Sequence, residues 1–425
     1  MDAILAIISM ITQLPSSVFM AIVFTIMGVA SGLKLDKAFR AGLLYGIGLW
    51  GLMTILNFFG SMLIPAVTGM AANWGIQKPI VDTPLVWVAI FGTIWPSLAI
   101  PIALGANFLL LLIGFTRTFN IDIFNLQFYY FVAAYAFTIS GQNWIWSIAT
   151  FLIVEIVILK IADYTAPAIQ KHFDMPANVS FTQLASACCA AFGSVLGKPF
   201  QSIPFLKDLK ADPKTLRQKF GIFGDPMIIG LVVALIVSLL GLWPDWVKIL
   251  ETSMVVAACL YIMPKMVAIL TDGLIPISNA VRDRVSKSER FKGIYIGLDS
   301  YITAGYEDVL TAATLLIIFS EIACALIPTI QAIPITGLPF YIGDVNFILP
   351  FVGGNILLAS IIGLIWEIIG AHFATWVAPV YTAGMAALGV EVAAGALYTW
   401  VVCPGWHILV WLNSVLWQII GAGLF

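Results

Sequence analysis

Long apolar runs separated by short polar segments are the dominant pattern of this sequence. A helix needs about 20 predominantly apolar residues to cross the hydrocarbon core of a bilayer. The pattern therefore predicts an all-α polytopic membrane protein with about eleven transmembrane helices. They are expected near residues 16–33, 41–64, 96–116, 121–140, 145–162, 227–243, 249–270, 306–329, 346–369, 373–390 and 400–423.

Basic residues cluster in two segments between these helices. The segment 171–222 holds Lys171, Lys198, Lys207, Lys210, Lys214, Arg217 and Lys219, and the segment 282–292 holds Arg282, Arg284, Lys287, Arg290 and Lys292. Cytoplasmic loops carry an excess of Lys and Arg, so both segments are predicted to lie inside the cell. Two helices separate the segments, and the "WPDW" loop that joins those helices is then outside.

The two halves of the chain share a register. The stretch from Pro15 to Pro65 matches the stretch from Pro226 to Pro276, displaced by 211 positions, and "LIP" ends both. The charges are exchanged, because "KLDKAFR" joins the first helix pair and "WPDWVK" joins the second. This predicts an inverted-topology repeat, residues 1–222 against 223–425, as in alternating-access transporters. Chance punctuation of apolar sequence is the alternative.

Composition excludes a soluble domain. The chain is 61% hydrophobic and 10% charged, whereas soluble domains average roughly 25% charged residues. A formal net charge of −2 gives no sign of a nucleic-acid partner. The five cysteines show no CxxC or CxxH spacing, so neither a metal site nor a disulfide framework is predicted.

Two acid–hydroxyl pairs are the first candidates for a binding site. Asp82-Thr83 and Asp299-Ser300 each stand just before a predicted span. Charges at membrane depth are costly and usually face a cavity or a partner, and the short segments around these pairs suit re-entrant hairpins. A carboxylate beside a hydroxyl matches the hydroxyl groups of a polyol. The alternative is that both acids only cap helix N-termini.

Other polar residues extend this candidate site. Amide and hydroxyl groups donate and accept, so Asn125, Gln127, Thr182 and Gln183 could bind sugar hydroxyls, although polar contacts between helices are equally plausible. Glu307 starts a predicted span, where a capping role competes with cavity lining. Asn355 follows Gly353-Gly354, a break in a span. The predicted substrate-binding set is Asp82, Thr83, Asn125, Gln127, Thr182, Gln183, Asp299, Ser300, Glu307 and Asn355.

The sequence contains no P-loop, nucleophile elbow or kinase signature, so no catalytic machinery of its own and no cofactor are predicted. The three histidines have no metal-ligand partners at helical spacing, which favours structural roles for them.

Four motifs carry a resemblance to a known family. "TRTFNIDIFN", "LRQKFGIFGDPMIIG", "MPKMVAILTDGLIPI" and "IGLDS" resemble the galactitol-type IIC components of the bacterial sugar phosphotransferase system, which belong with the ascorbate-type IIC transporters. The likeness runs in order along nearly the whole chain. It implies re-entrant hairpins, a lipid-embedded homodimer in the cytoplasmic membrane, and an elevator motion of a core domain past a dimer-forming domain, interleaved across both halves.

The resemblance also implies the partners. The IIC subunit would bind and move a sugar alcohol, while a IIB subunit, phosphorylated by IIA, brings a phosphocysteine from the cytoplasm. The chain would then carry no phosphoryl group itself, and Asp299 would accept a proton from the attacking hydroxyl or only orient it. The basic stretches 198–219 and 282–292 would face IIB, or serve only as membrane anchors.

The chain departs from the family at three places. Members have histidines in the segments that match 125–131 and 180–186 and after the "GLD" motif, where this chain has "NLQFYYF", "SFTQLAS" and "YED". The substrate therefore stays open among galactitol, another hexitol, a pentitol and an amino sugar. The rival functions are an ion-coupled secondary transporter, with the buried acids binding protons or Na⁺, and a non-transporting membrane scaffold.

Overall fold

The computed structural model describes residues 14–91, 93–120, 122–203, 226–285 and 293–421. Most of them are helical. The helices are α1 Ser16–Ala30, α2 Leu35–Asn73, α3 Leu85–Phe91, α4 Trp95–Leu112, α5 Ile123–Ile139, α6 Trp144–His172, α7 Leu184–Gln201, α8 Pro226–Leu242, α9 Trp246–Val285, α10 Glu307–Leu326, α11 Ile356–Ala387 and α12 Pro404–Leu416.

Helices α1, α2, α8 and α9 pack on one another through glycines. A Cβ atom at Gly42 would meet Thr25, one at Gly48 would meet Leu270, and one at Gly241 would lie 1.7 Å from the carbonyl oxygen of Ala66. Small residues let membrane helices approach closely. The resulting van der Waals contacts stabilise the packing, because lipid provides no hydrophobic driving force between helices. These glycines therefore fix the spacing of the two helix pairs.

The second helix of each pair is longer than the sequence pattern predicts. The predicted spans 41–64 and 249–270 are parts of α2 and α9, which continue through Pro65 and Pro276. A proline removes one backbone hydrogen bond. Membrane helices nevertheless tolerate such prolines, because neighbouring groups satisfy the backbone that the proline frees. "LIP" therefore does not end either helix.

The predicted spans 346–369 and 373–390 are wrong, because one helix, α11, covers residues 356–387. The stretch "GAHFATW", which lies across the gap between the two predicted spans, contains no proline and does not interrupt the helix. The break comes earlier, at Gly353 and Gly354, whose φ angles of 65° and 75° suit glycine. Two 3₁₀ segments, Leu338–Asp344 and Leu349–Val352, precede it. Asn355 then caps α11.

Short parallel strands, which an all-α prediction omits, join the halves. They are β1 Ile80–Asp82, β2 Thr118–Asn120, β3 Val179–Phe181, β4 Tyr295–Leu298 and β5 Leu397–Thr399. Strand β1 pairs with β5, and β4 lies between β2 and β3. Each sheet thus combines strands from both halves of the chain. Two junctions between the halves result, and seven of the predicted site residues lie at them.

The structure supports a multi-pass membrane protein. Five helices among the described residues, in the ranges 35–70, 144–172, 246–280, 307–326 and 356–387, are long and apolar enough to cross a bilayer. Large apolar side chains such as Ile26, Trp50 and Ile153 are exposed on the outside of the helices. In water such a surface would be unfavourable, whereas lipid solvates it.

Candidate functional site

Five of the predicted residues meet at the carboxyl ends of β2, β3 and β4, a cluster that we call the Asp299 junction. They are Asn125, Thr182, Gln183, Asp299 and Ser300, and none is more than 3% exposed. The three strands run parallel, with Asn120 beside Gly297 and Phe181 beside Leu298. Residues that directly follow neighbouring parallel strands are brought together, because their carboxyl ends meet at one edge.

A chain of hydrogen bonds orders one side of this junction. The Asn125 Nδ2 donates to Thr182 Oγ1 at 2.8 Å and to the Leu298 carbonyl oxygen at 3.2 Å. Thr182 Oγ1 in turn donates to Asn120 Oδ1 at 2.8 Å. The Thr182 hydroxyl is therefore fully engaged and holds the two asparagines in place.

The other side of the junction is held by serines. Ser186 Oγ donates to the Gly343 carbonyl oxygen at 2.7 Å, so Ser300 Oγ is the donor in its 2.6 Å bond to Ser186. Gln183 Oε1 accepts from the Ser186 N–H, which caps α7. Asp299 Oδ1 accepts from the Tyr301 N–H and caps a 3₁₀ segment, Ser300–Thr303.

Three amide atoms at the Asp299 junction have no protein partner. Asn120 Nδ2, Asn125 Oδ1 and Gln183 Nε2 are buried and make no hydrogen bond. A buried polar atom without a partner costs about 1–3 kcal/mol. Two donors and one acceptor of this kind are what a polyol hydroxyl, which both donates and accepts, can satisfy.

Asp82 and Thr83 lie in a different place, the Asp82 junction, formed by β1, β5 and residues 331–336. Asp82 Oδ2 accepts from the N–H groups of Ile335 and Thr336 at 2.9 and 2.7 Å, and from Thr336 Oγ1 at 2.8 Å. Its Oδ1 accepts from the Val401 N–H at 2.7 Å. This carboxylate joins two loops of the second half to β1. It does not cap a helix.

The remaining predicted residues stand apart from both junctions. Gln127 is half-buried on α5, and Asn355 Oδ1 accepts from the Leu358 N–H as the cap of α11. Glu307 begins α10 and lines a cavity of ≈ 420 Å³ with Tyr306 and Asp272. A second cavity of ≈ 490 Å³ lies beside Asp82 and includes Lys78.

The cavity at Glu307 is close to the Asp299 junction in sequence. Gly305 lines the cavity and comes shortly after the 3₁₀ segment Ser300–Thr303, which follows Asp299.

The start of α10 is tied to the end of α6. His172 Nε2 lies 2.8 Å from Asp308 Oδ2, and the Tyr306 hydroxyl donates to the Phe173 carbonyl oxygen. His172 is thus part of the helical structure and not of a loop.

The structure adds three residues that the predicted set omits: Asn120, Ser186 and Asn346. Asn346 Nδ2 donates to Thr303 Oγ1 at 3.0 Å and so supports the 3₁₀ segment after Asp299. Asn120 stands in the "FNIDIFN" motif, two positions before Asp122, which was a usable signal. Ser186 and Asn346 carry no comparable signal, because only the tertiary fold brings them to the junction.

Several predicted residues lie outside the described residues. Lys207, Lys210, Lys214, Arg217 and Lys219 fall in 204–225, and Lys287, Arg290 and Lys292 fall in 286–292. The cysteines are all free thiols. Within the described residues, no three His, Cys, Asp or Glu side chains group so as to hold a metal ion.

A family model and several known proteins match this chain along most of its length. The family model EIIC-GAT, described as the PTS system sugar-specific permease component, matches residues 10–395. The "PTS system galactitol-specific EIIC component" of Escherichia coli K12 is 26% identical over 377 residues, which cover 85% of this chain and 82% of that protein. The protein of the same description in Escherichia coli O157:H7 matches with the same identity and coverage.

Proposed function

Because the chain belongs to the EIIC-GAT family of sugar-specific permease components, we propose that it translocates galactitol or a related polyol across the bacterial cytoplasmic membrane. It would act as the IIC subunit, together with a IIB subunit that phosphorylates the sugar alcohol and a IIA subunit that supplies IIB. The relatives named for galactitol support this substrate class. The observation that carries the proposal is the set of unpartnered amide atoms at the Asp299 junction.

The Asp299 junction is the proposed substrate site. Asn120 Nδ2 and Gln183 Nε2 would donate to substrate hydroxyl oxygens, and Asn125 Oδ1 would accept a hydroxyl proton. Asp299 stands at the end of β4 beside these groups. Small-molecule sites generally orient their ligand through a few precisely placed polar groups of this kind.

Phosphorylation needs little chemistry from this chain. The substrate hydroxyl oxygen would attack the phosphorus of the IIB phosphocysteine, so that a P–O bond forms, the P–S bond breaks and the thiolate leaves. The hydroxyl proton must be lost, and Asp299 is the proposed acceptor or orienting group. Phosphoryl transfer depends mainly on positioning and electrostatics, which suits a site of fixed amides. The cavity at Glu307 is the proposed cytoplasmic approach, because its lining residues, up to Asp272 and from Gly305 onward, flank the basic segment 282–292 in sequence.

The proposed architecture is an inverted repeat of residues 1–222 and 223–425. Two sequence matches at a displacement of 212 support it: "LQFYY" with "LPFYI", and "LIVEI" with "LIWEI". The helices that carry the second match, α6 and α11, are both capped by an asparagine, Asn143 and Asn355, and both contain a proline, Pro167 and Pro379. The strand pairing also crosses between the halves, because β1 of the first half pairs with β5 of the second, and β4 of the second half pairs with β2 and β3 of the first.

The same proposal assigns the moving parts. Helices α1, α2, α8 and α9 would form the dimer-forming domain, and the elements around the two junctions would form the core that moves as an elevator. The short β1 and β4 segments, with the turns that follow them, would be the tips of re-entrant hairpins. Their place at the meeting point of both halves is the support for this assignment.

Inverted membrane vesicles that contain the protein, phosphorylated IIB and a panel of radiolabelled polyols test the proposal. One polyol should give a phosphorylated product, and its formation should require IIB. Asp299→Ala should lower product formation, whereas Glu391→Ala, at an exposed loop position, should not. Ion-driven uptake without any phosphorylated product would overturn the proposal in favour of a secondary transporter.

A further inference from the structure

Two buried glutamates lie on the long helices α6 and α11, outside the substrate cluster. Glu155 is 0% and Glu367 is 1% exposed. Each stands twelve residues after the asparagine that caps its helix, which is about 18 Å along the helix axis. The hydrocarbon core of a bilayer is about 30 Å thick, so a helix that enters it near its cap would carry the carboxyl group close to the midplane.

The two glutamates are counterparts in the two halves. They are the acids of the matched motifs "LIVEI" and "LIWEI", displaced by 212 positions. Each also lies near a tyrosine, and these tyrosines, Tyr129 and Tyr341, are displaced by the same 212 positions. One acid–tyrosine pair therefore occurs per half, on equivalent elements.

Neither carboxyl group has a basic partner among the described residues. Both carboxyl oxygens of Glu155 and the Oε1 of Glu367 make no hydrogen bond, and the neighbour nearest in kind to a partner for Glu367 is the uncharged Tyr341 hydroxyl. The ion pairs among the described residues, His172 with Asp308 and Lys248 with Asp245, involve neither glutamate. An isolated buried carboxylate is so unfavourable that the group binds a proton instead.

The surrounding titratable groups are mostly acids, phenols and thiols. An ionised acid would repel a carboxylate, and a neutral phenol or thiol supplies no positive charge. Tyr129 lies within electrostatic reach of Glu155, and Asp122 and Cys188 lie within reach of Tyr129. The groups within reach of Glu367 are Tyr341, Asp344, Cys324, Cys189 and Cys403, with Glu321 beyond Cys324 and Tyr341. Lys78 lies near Cys324 but donates to the Ile327 carbonyl oxygen.

We propose that Glu155 and Glu367 each bind one proton in the folded protein, so that each half carries a neutral carboxyl group near the bilayer midplane. The proton comes from water and returns to water when the carboxyl ionises, so no other reactant is needed. The role of these protons in transport rests on the proposed function: each bound proton removes one negative charge that the core would otherwise move against the membrane potential.

Infrared spectroscopy of the purified protein tests proton binding without any transport assay. A protonated carboxyl group has a carbonyl stretch that is separate from that of a carboxylate and shifts in D₂O. At neutral pH the wild-type protein should show this band. Glu155→Gln and Glu367→Gln should each remove one carboxyl group's share of the band, and Glu391→Gln, at an exposed position, should remove none. A wild-type protein without the band overturns the proposal, whatever the variants do.

The pH dependence of polyol phosphorylation tests the use of the protons. Raising the pH should ionise the glutamates and lower the rate, and the Gln variants, which imitate the protonated form, should keep their rate to higher pH. If the phosphorylation rate falls at the same high pH in the wild type and in both variants, the transport role is overturned. If no polyol is phosphorylated at all, the proposed function fails, and the infrared band still decides proton binding.

Discussion

The Asp82 and Asp299 junctions are built from the same parts and use them differently. In both, one short parallel strand leads to an acid that is followed by a hydroxyl residue: Asp82 is the last residue of β1, and Asp299 directly follows β4. Asp82 accepts four hydrogen bonds from two loops, and both of its oxygens have partners. At the Asp299 junction, three amide atoms are left without partners. One junction is closed by its own carboxylate, and the other keeps hydrogen-bonding capacity for a ligand.

Asp82→Ala tests the structural role of the Asp82 junction, and we expect it to have the largest effect on stability. It leaves the N–H groups of Ile335, Thr336 and Val401 without their acceptor, at about 1–3 kcal/mol each. A loss of roughly 3 kcal/mol or more should appear as a lower unfolding midpoint in detergent. Glu391→Ala is the exposed control. An unchanged midpoint for Asp82→Ala would mean that this carboxylate does not hold the loops.

Asp299→Ala should reverse the pattern, with a large effect on binding and a small one on stability. Substrate affinity should fall roughly ten-fold or more, which corresponds to about 1.4 kcal/mol. Loss of the cap on Tyr301 should cost only about 1 kcal/mol of stability. Equilibrium binding of a radiolabelled polyol measures the first effect and thermal unfolding the second. Wild-type affinity in this variant would remove Asp299 from the site.

A matched pair of substitutions, Thr182→Val and Thr399→Val, compares the effect of one lost hydroxyl group at each junction. Thr182 connects Asn125 and Asn120 at the Asp299 junction, whereas Thr399 donates to the Ala374 carbonyl oxygen at the Asp82 junction. Both are fully buried. Each variant should lose about 1 kcal/mol of stability. Thr182→Val alone should weaken polyol binding, by roughly five- to twenty-fold by the same energy scale. Equal effects on binding would show that the two junctions are not functionally distinct.

The smallest expected effect concerns the tie between α6 and α10. His172 and Asp308 form a partly exposed pair, with side chains 18% and 15% exposed. A double-mutant cycle with His172→Ala and Asp308→Ala should give a coupling energy of roughly 0.5–1 kcal/mol, in the range of surface pairs. Thermal unfolding of the four proteins provides the measurement. Zero coupling would leave the Tyr306 contact as the main tie.

The sequence was sufficient to predict the membrane class and the family, because apolar length and the four motifs are local signals. It did not predict the strands, since three residues are too few to show alternation. Asp82-Thr83 and Asp299-Ser300 look alike in sequence, and only their tertiary partners separate them. Five predicted residues met at one junction because they follow parallel strands, while Gln127, Glu307 and Asn355 lie elsewhere. The prolines match at a displacement of 211 residues, and a comparison in that register does not align "LIVEI" with "LIWEI", which match at a displacement of 212 residues.

The pairing of Asp82 with Thr399 also has a meaning for the order in which the protein is made. Strand β1 leaves the ribosome more than three hundred residues before β5, so its backbone groups must wait for nearly the whole of the remaining synthesis. A first half released alone would expose β1 without a partner, and a second half alone would expose β4. We therefore expect neither half to mature by itself, and early termination products to be substrates for membrane quality control.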